Sequence, residues 1–73
     1  PGADYIYYSL AASYSMSGNT GAAVENLQKA ISLNNDNRIY ARNDVDFARL
    51  LAEREFADLV GLNPSPADES PQP

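Results

Sequence analysis

Every proline of this chain sits at an end: Pro1 opens it, and Pro64, Pro66, Pro71 and Pro73 close it, so that residues 2–63 contain none. Proline lacks a backbone donor and clashes with the preceding turn, so a proline-free body permits helix along its whole length. Apolar residues recur within that body at helical spacing. Tyr7, Leu10, Ala11 and Tyr14 stand at i, i+3, i+4 and i+7, and Ala23, Leu27, Ala30 and Ile31 repeat the arrangement, with Val24 beside them. Each set falls on one face of a helix.

Helix stops and starts lie between these sets. Asp4 is a start signal for the first helix, Gly18 supplies the left-handed residue that closes it, and Asn19 or Thr20 caps the second. Glu25 and Lys29 stand four apart, in the favourable order, on the solvent side of that second helix. The run Asn34-Asn35-Asp36-Asn37 ends it, because short polar side chains bond their own backbone in turns. Beyond it, Ile39, Tyr40 and Ala41 predict a short helix, and Asn43 and Asp44 a further cap. Phe47, Leu50, Leu51, Phe56, Leu59 and Val60 then predict more helical turns that end at Gly61. Ala52-Glu53 carries no break signal, so the sequence leaves open whether residues 45–60 form one helix or two.

The expectation is an all-α chain with a lead at residues 1–3, an antiparallel helix-turn-helix at 4–37, and one or two helices within 38–61. A proline-rich, acidic tail at 62–73 has little to bury and is expected to be extended or disordered. Seventy-three residues make one domain at most, with a small core. Without cysteine or histidine there is neither a disulfide nor a zinc site to reinforce it. Added stability must come from neighbouring repeats, self-association or close helix packing.

The same composition narrows the chemistry. The serines of the helical body, Ser9, Ser13, Ser15, Ser17 and Ser32, have no histidine to activate them, and Lys29 is the only lysine. Asp44 and Asp46, after Asn43, hint at a cation loop but lack its glycine and its remaining ligands, and helix capping accounts for them. Glu53, Glu55 and Asp58 read as a solvated face, with Arg54 and Asp58 as a surface pair. No catalytic, metal-binding or cofactor-binding residue is expected. A net charge of -5 disfavours nucleic acid and anionic membrane surfaces. No apolar run approaches the roughly 18 residues of a membrane helix, so the chain reads as soluble, without membrane insertion. The absence of cysteine suits the cytoplasm and an exported protein alike. The Pro1-Gly2 start reads as a processed product or a piece of something longer.

Residues 4–37 resemble one tetratricopeptide repeat, a unit of about 34 residues. Tyr7 stands where the family has its first large aromatic, Leu10 and Ala11 match its Leu-then-small pair, and Tyr14 matches its tyrosine. Gly18 matches the turn glycine, while Ala23, Leu27 and Ala30 match the small, bulky and small positions of the second helix. Asn35 departs from the pattern, where many repeats carry proline. Asp44, Asp46, Phe47 and Leu50, followed by Phe56 and Leu59, resemble the closing unit of bacterial tetratricopeptide arrays, with Ala52-Glu53 in place of the usual Asp-Pro.

The resemblance implies the C-terminal end of a right-handed α-solenoid from a bacterial source, with an uncapped face before Asp4, since about three repeats are needed for a stable stack. It also implies that Tyr5, Tyr8, Ala12, Ser15 and Met16, on the first helix, line a concave protein-binding face or pack against a preceding repeat. Tyr8 and Ala12 occupy places where carboxylate-clamp members present cationic or amide groups, so that subtype is not supported. The function expected is a non-catalytic protein-protein interaction module that meets preceding repeats, a peptide or copies of itself. The alternatives are a subunit stacking head to tail into an oligomer or filament, and the C-terminal fragment of a larger protein whose activity lies elsewhere.

Overall fold

The structure, a computed structural model, describes residues 2–62, all helices and turns with no strand among them. The expected proline-rich tail lies outside these residues, apart from Leu62. Helix α1 (Ala3–Met16) and helix α2 (Thr20–Leu33) are joined by Ser17-Gly18-Asn19. Gly18 adopts φ 87°, a left-handed conformation that costs a side chain little only when the residue is glycine. Its N–H donates to the Ser15 carbonyl, and that of Asn19 reaches back to Tyr14 at 2.9 Å, so the last carbonyls of α1 are satisfied. The Asn19 side chain then accepts from the Ala22 N–H at 3.2 Å, which puts the cap on Asn19 rather than on Thr20. This turn folds α2 back along α1, where Ala11 and Ala23, both fully buried, let the two backbones approach.

Asp4 is not the cap of α1. Gly2 holds that position with φ 93°, and Asp4, in the first turn, accepts instead from the Asn37 amide at 2.9 Å. At the far end of α2, Asn34 turns to extended backbone and its side chain accepts from the Asp36 N–H, as the Asn-rich run predicts.

Helix α3 (Asn37–Asn43), a 3-10 helix (Val45–Leu50) and helix α4 (Arg54–Val60) complete the body. The open question about residues 45–60 resolves as two pieces, with Glu53 extended at φ -85° and ψ 125°. In one continuous helix Phe47 and Phe56 would face opposite ways. The break brings them together, stacked with centroids 5.7 Å apart and planes 19° apart. Both are fully buried with Leu27 and Val60, and they join the hairpin to the elements that follow it.

Candidate interaction surface

Helix α1 is covered on two sides, and the sequence periodicity misassigns one of them. The 3-10 helix runs along Tyr8, Ala12 and Ser15, so these three do not line an open groove. The Tyr8 hydroxyl donates to Asp44 Oδ2 at 2.8 Å, and Ser15, with no exposure, donates its Oγ to the Asp46 carbonyl at 2.8 Å. Phe47 meets the Tyr8 ring edge to face at 5.4 Å. Of the expected face only Tyr5, 70 % exposed, and Met16, 52 % exposed, remain at the surface.

The expected core stripe fares the opposite way. Ala11 is buried and Tyr7 half-buried, but Leu10 is 42 % and Tyr14 36 % exposed. The physical reason is that α2 and the 3-10 helix approach α1 where its side chains are small, along Ala11, Ala12 and Ser15. Tyr8 is taken in beside Phe47, while Leu10 and Tyr14 are left outside. In α2 the expected Ala23, Leu27, Ala30 and Ile31 are all buried, and so are Phe47, Leu50 and Phe56 of the closing unit, while Leu59 packs against the core half-buried.

Asp44 holds two bonds at once: Oδ2 accepts from Tyr8 and Oδ1 from the Asp46 N–H at 3.0 Å, which starts the 3-10 helix. Burial first, then the bond to Asp44 and the charges of Asp44 and Asp46, push the Tyr8 phenol well above the usual tyrosine range. Tyr8 is therefore held as a protonated donor. Asp44 caps the 3-10 helix and Asp46 stands in its first turn, where an acidic side chain complements the helix N-terminus.

Two further clasps fix the closing unit, and neither has a signature in the apolar spacing. Asn37, almost wholly buried, donates to Asp4 and, at 3.0 Å, to the Ala30 carbonyl. Arg38 and Arg42, one turn apart on α3, donate to the Leu59 and Val60 carbonyls at the C-terminus of α4, where cations complement the helix dipole. Between α2 and α4 lies an open groove of about 390 Å³, lined by Val24, Gln28, Arg38, Glu55, Asp58 and Leu59. Its arginine is already committed to the Leu59 carbonyl and to Asn35.

Among the described residues Leu33, Ile39, Tyr40, Val45 and Leu51 are exposed apolar side chains, and the outer side of α1 carries a row of them. Ile6, 61 % exposed, Leu10 and Tyr14 stand four residues apart on one stripe, with Ala3 and Ser13 exposed beside them. No charged residue occurs between Asp4 and Glu25, so this exposed surface is apolar and hydroxylic. Lys29, 5.5 Å over the Tyr7 ring, borders it. Sequence reasoning missed Ile6, although the uncharged run marks the surface without any need for helical phase. Helix α4 differs, for it presents Arg54, Glu55 and Asp58 to solvent, with Arg54 and Asp58 3.8 Å apart. Compared with known proteins, the chain matches no family model, no curated protein and no solved structure.

Proposed function

We propose that this chain is a non-catalytic protein-protein interaction module, the closing end of a tetratricopeptide-like helical stack. The observation that carries the reading is the uncharged outer stripe of α1, where Ile6, Leu10 and Tyr14 leave large apolar surface in water. A contiguous face of this kind, free of charge and rich in tyrosine, has the composition of the buried centre of an interface. The repeat reading rests on the residue pattern of 4–37, and the charged outer face of α4 is the ground for reading it as the closing end. Stacking of copies head to tail is less favoured, because it sets the apolar stripe of one against Arg54, Glu55 and Asp58 of the next.

The test is co-purification with the immobilised chain and with an Ile6→Asp, Tyr14→Asp double variant, after circular dichroism has shown equal helicity. Proteins recovered by the original chain are expected to be lost from the variant. Equal recovery by both removes the stripe as the binding surface.

A further inference from the structure

We infer that the outer stripe of α1 pairs with the same stripe of a second copy, the two helices antiparallel about a two-fold axis that passes beside Leu10. The inference rests on the interaction-module reading and names its occupant.

Two observations select a second copy. The first is charge. The chain carries -5 overall, so two copies repel on average, yet the run from Tyr5 to Val24 holds no ionisable group apart from tyrosine hydroxyls. The one ionisable side chain of α1 besides its tyrosines, Asp4, is taken up by Asn37. This stripe is a surface on which identical acidic molecules approach without placing like charges together, whereas α4 sets Arg54, Glu55 and Asp58 in the way of a head-to-tail contact.

The second observation is spacing. In an isologous contact residue i meets j and j meets i. Ile6, Leu10 and Tyr14 are evenly spaced, about 6 Å apart along the axis. An antiparallel pairing centred on Leu10 therefore sets Ile6 against Tyr14 of the second copy, Leu10 against its own counterpart, and Tyr14 against Ile6. Each bulky ring meets an aliphatic side chain, and both ends of the stripe are covered at once. One short helix buries less than the roughly 800 Å² per partner of a stable complex. The pairing is consequently weak and concentration-dependent.

The experiment uses charge at the position on the axis. Sedimentation equilibrium over a wide concentration range is expected to show the original chain passing from monomer to dimer and no further. Leu10→Lys and Leu10→Glu, at an exposed position where both residues suit a helix, are each expected to remain monomeric, because like charges then meet across the axis. Mixed in equal amounts they are expected to dimerise again, an outcome that requires residue 10 to face residue 10. As the chain has no cysteine, Leu10→Cys supplies an independent reading: under mild oxidant it should cross-link to a dimer much faster than Glu55→Cys. A chain that stays monomeric, one that grows beyond dimers, or a mixture that fails to pair overturns the proposal. If the chain stays monomeric while co-purification still depends on Ile6 and Tyr14, the pairing is wrong and the interaction-module reading stands.

Discussion

Tyr8 and Asp44, 36 positions apart, are joined by a 2.8 Å hydrogen bond that ties the middle of α1 to the start of the 3-10 helix. Removing the hydroxyl by Tyr8→Phe keeps the ring against Phe47 and leaves Asp44 its bond to the Asp46 N–H. The expected loss is about 1.5 kcal/mol, the low end for a bond to a charged acceptor because this one is only part-buried. Burial of the phenol, together with this bond, also makes stability fall at alkaline pH. The phenol is raised in the folded chain, so its contribution is complete below the ordinary tyrosine value of 10.0. It is lost as pH rises beyond that, because the unfolded chain releases the proton first. Melting temperatures between pH 8 and pH 11 should fall more steeply for the original chain than for Tyr8→Phe, and parallel curves would refute the coupling.

Asn37 offers a sharper test, because its amide is buried between Asp4 and the Ala30 carbonyl and donates to both. Asn37→Asp replaces a donor by an acceptor that faces two acceptors. At neutral pH the cost is expected to be about 3 kcal/mol, as for an uncompensated buried charge. The new carboxyl regains a proton to donate in acid, so the variant should recover stability relative to the original as pH falls through the carboxylate range. Urea midpoints at pH 7 and pH 4 read this directly. A pH-independent difference would mean that the amide is not held as the structure has it.

At the C-terminus of α4 the Arg42 Nε donates to the Val60 carbonyl at 3.0 Å, and Gly61 closes the helix with φ 81°. A Cβ on Gly61 would lie 3.4 Å from an Arg42 nitrogen as well as forcing the left-handed backbone. Arg42→Ala is expected to cost about 1 kcal/mol and Gly61→Ala a similar amount. Both should speed amide exchange in α4 before exchange in α2 changes, since the cap is local. Uniform acceleration across the chain would place the effect in global stability instead.

Part of this architecture is legible in the sequence for definite reasons. Gly18 and the Asn34 to Asn37 run mark helix ends by backbone preference, which acts locally, and Ala23, Leu27, Ala30 and Ile31 declare the buried face of α2 by period alone. The phase of α1 is not legible in that way, because this helix carries apolar residues nearly all round. What decides its orientation is where other backbones come close, which small residues permit: Ala11 beside α2, and Ala12 and Ser15 beside the 3-10 helix. The break before α4 is hidden for a similar reason. Nothing local at Ala52-Glu53 demands it, and it follows from the stacking of Phe47 on Phe56. Ser15 itself reads as a surface residue until the Asp46 carbonyl is found above it.

The orientation of α1 can be decided by one pair of substitutions whose effects the two possible phases order oppositely. In the structure Leu10 faces solvent and Ser15 is fully buried beneath the 3-10 helix. Leu10→Ser removes a partly exposed side chain and should cost at most about 1 kcal/mol in the monomer, most of it lost contact with the flanking chains and lower helix propensity. Ser15→Leu must fit three extra carbons where the hydroxyl now meets the Asp46 carbonyl, and overpacking of this kind costs about 2 kcal/mol or more. The same change strands no acceptor beyond that carbonyl, so steric expulsion of the 3-10 helix is the main expected effect, visible as a loss of the near-ultraviolet signal from Tyr8. Were Leu10 in the core and Ser15 on a groove, Leu10→Ser would be the damaging change, by 2 kcal/mol or more, and Ser15→Leu nearly silent. Denaturant titrations of the two variants at a concentration that keeps the chain monomeric therefore separate the arrangements by the order of their midpoints.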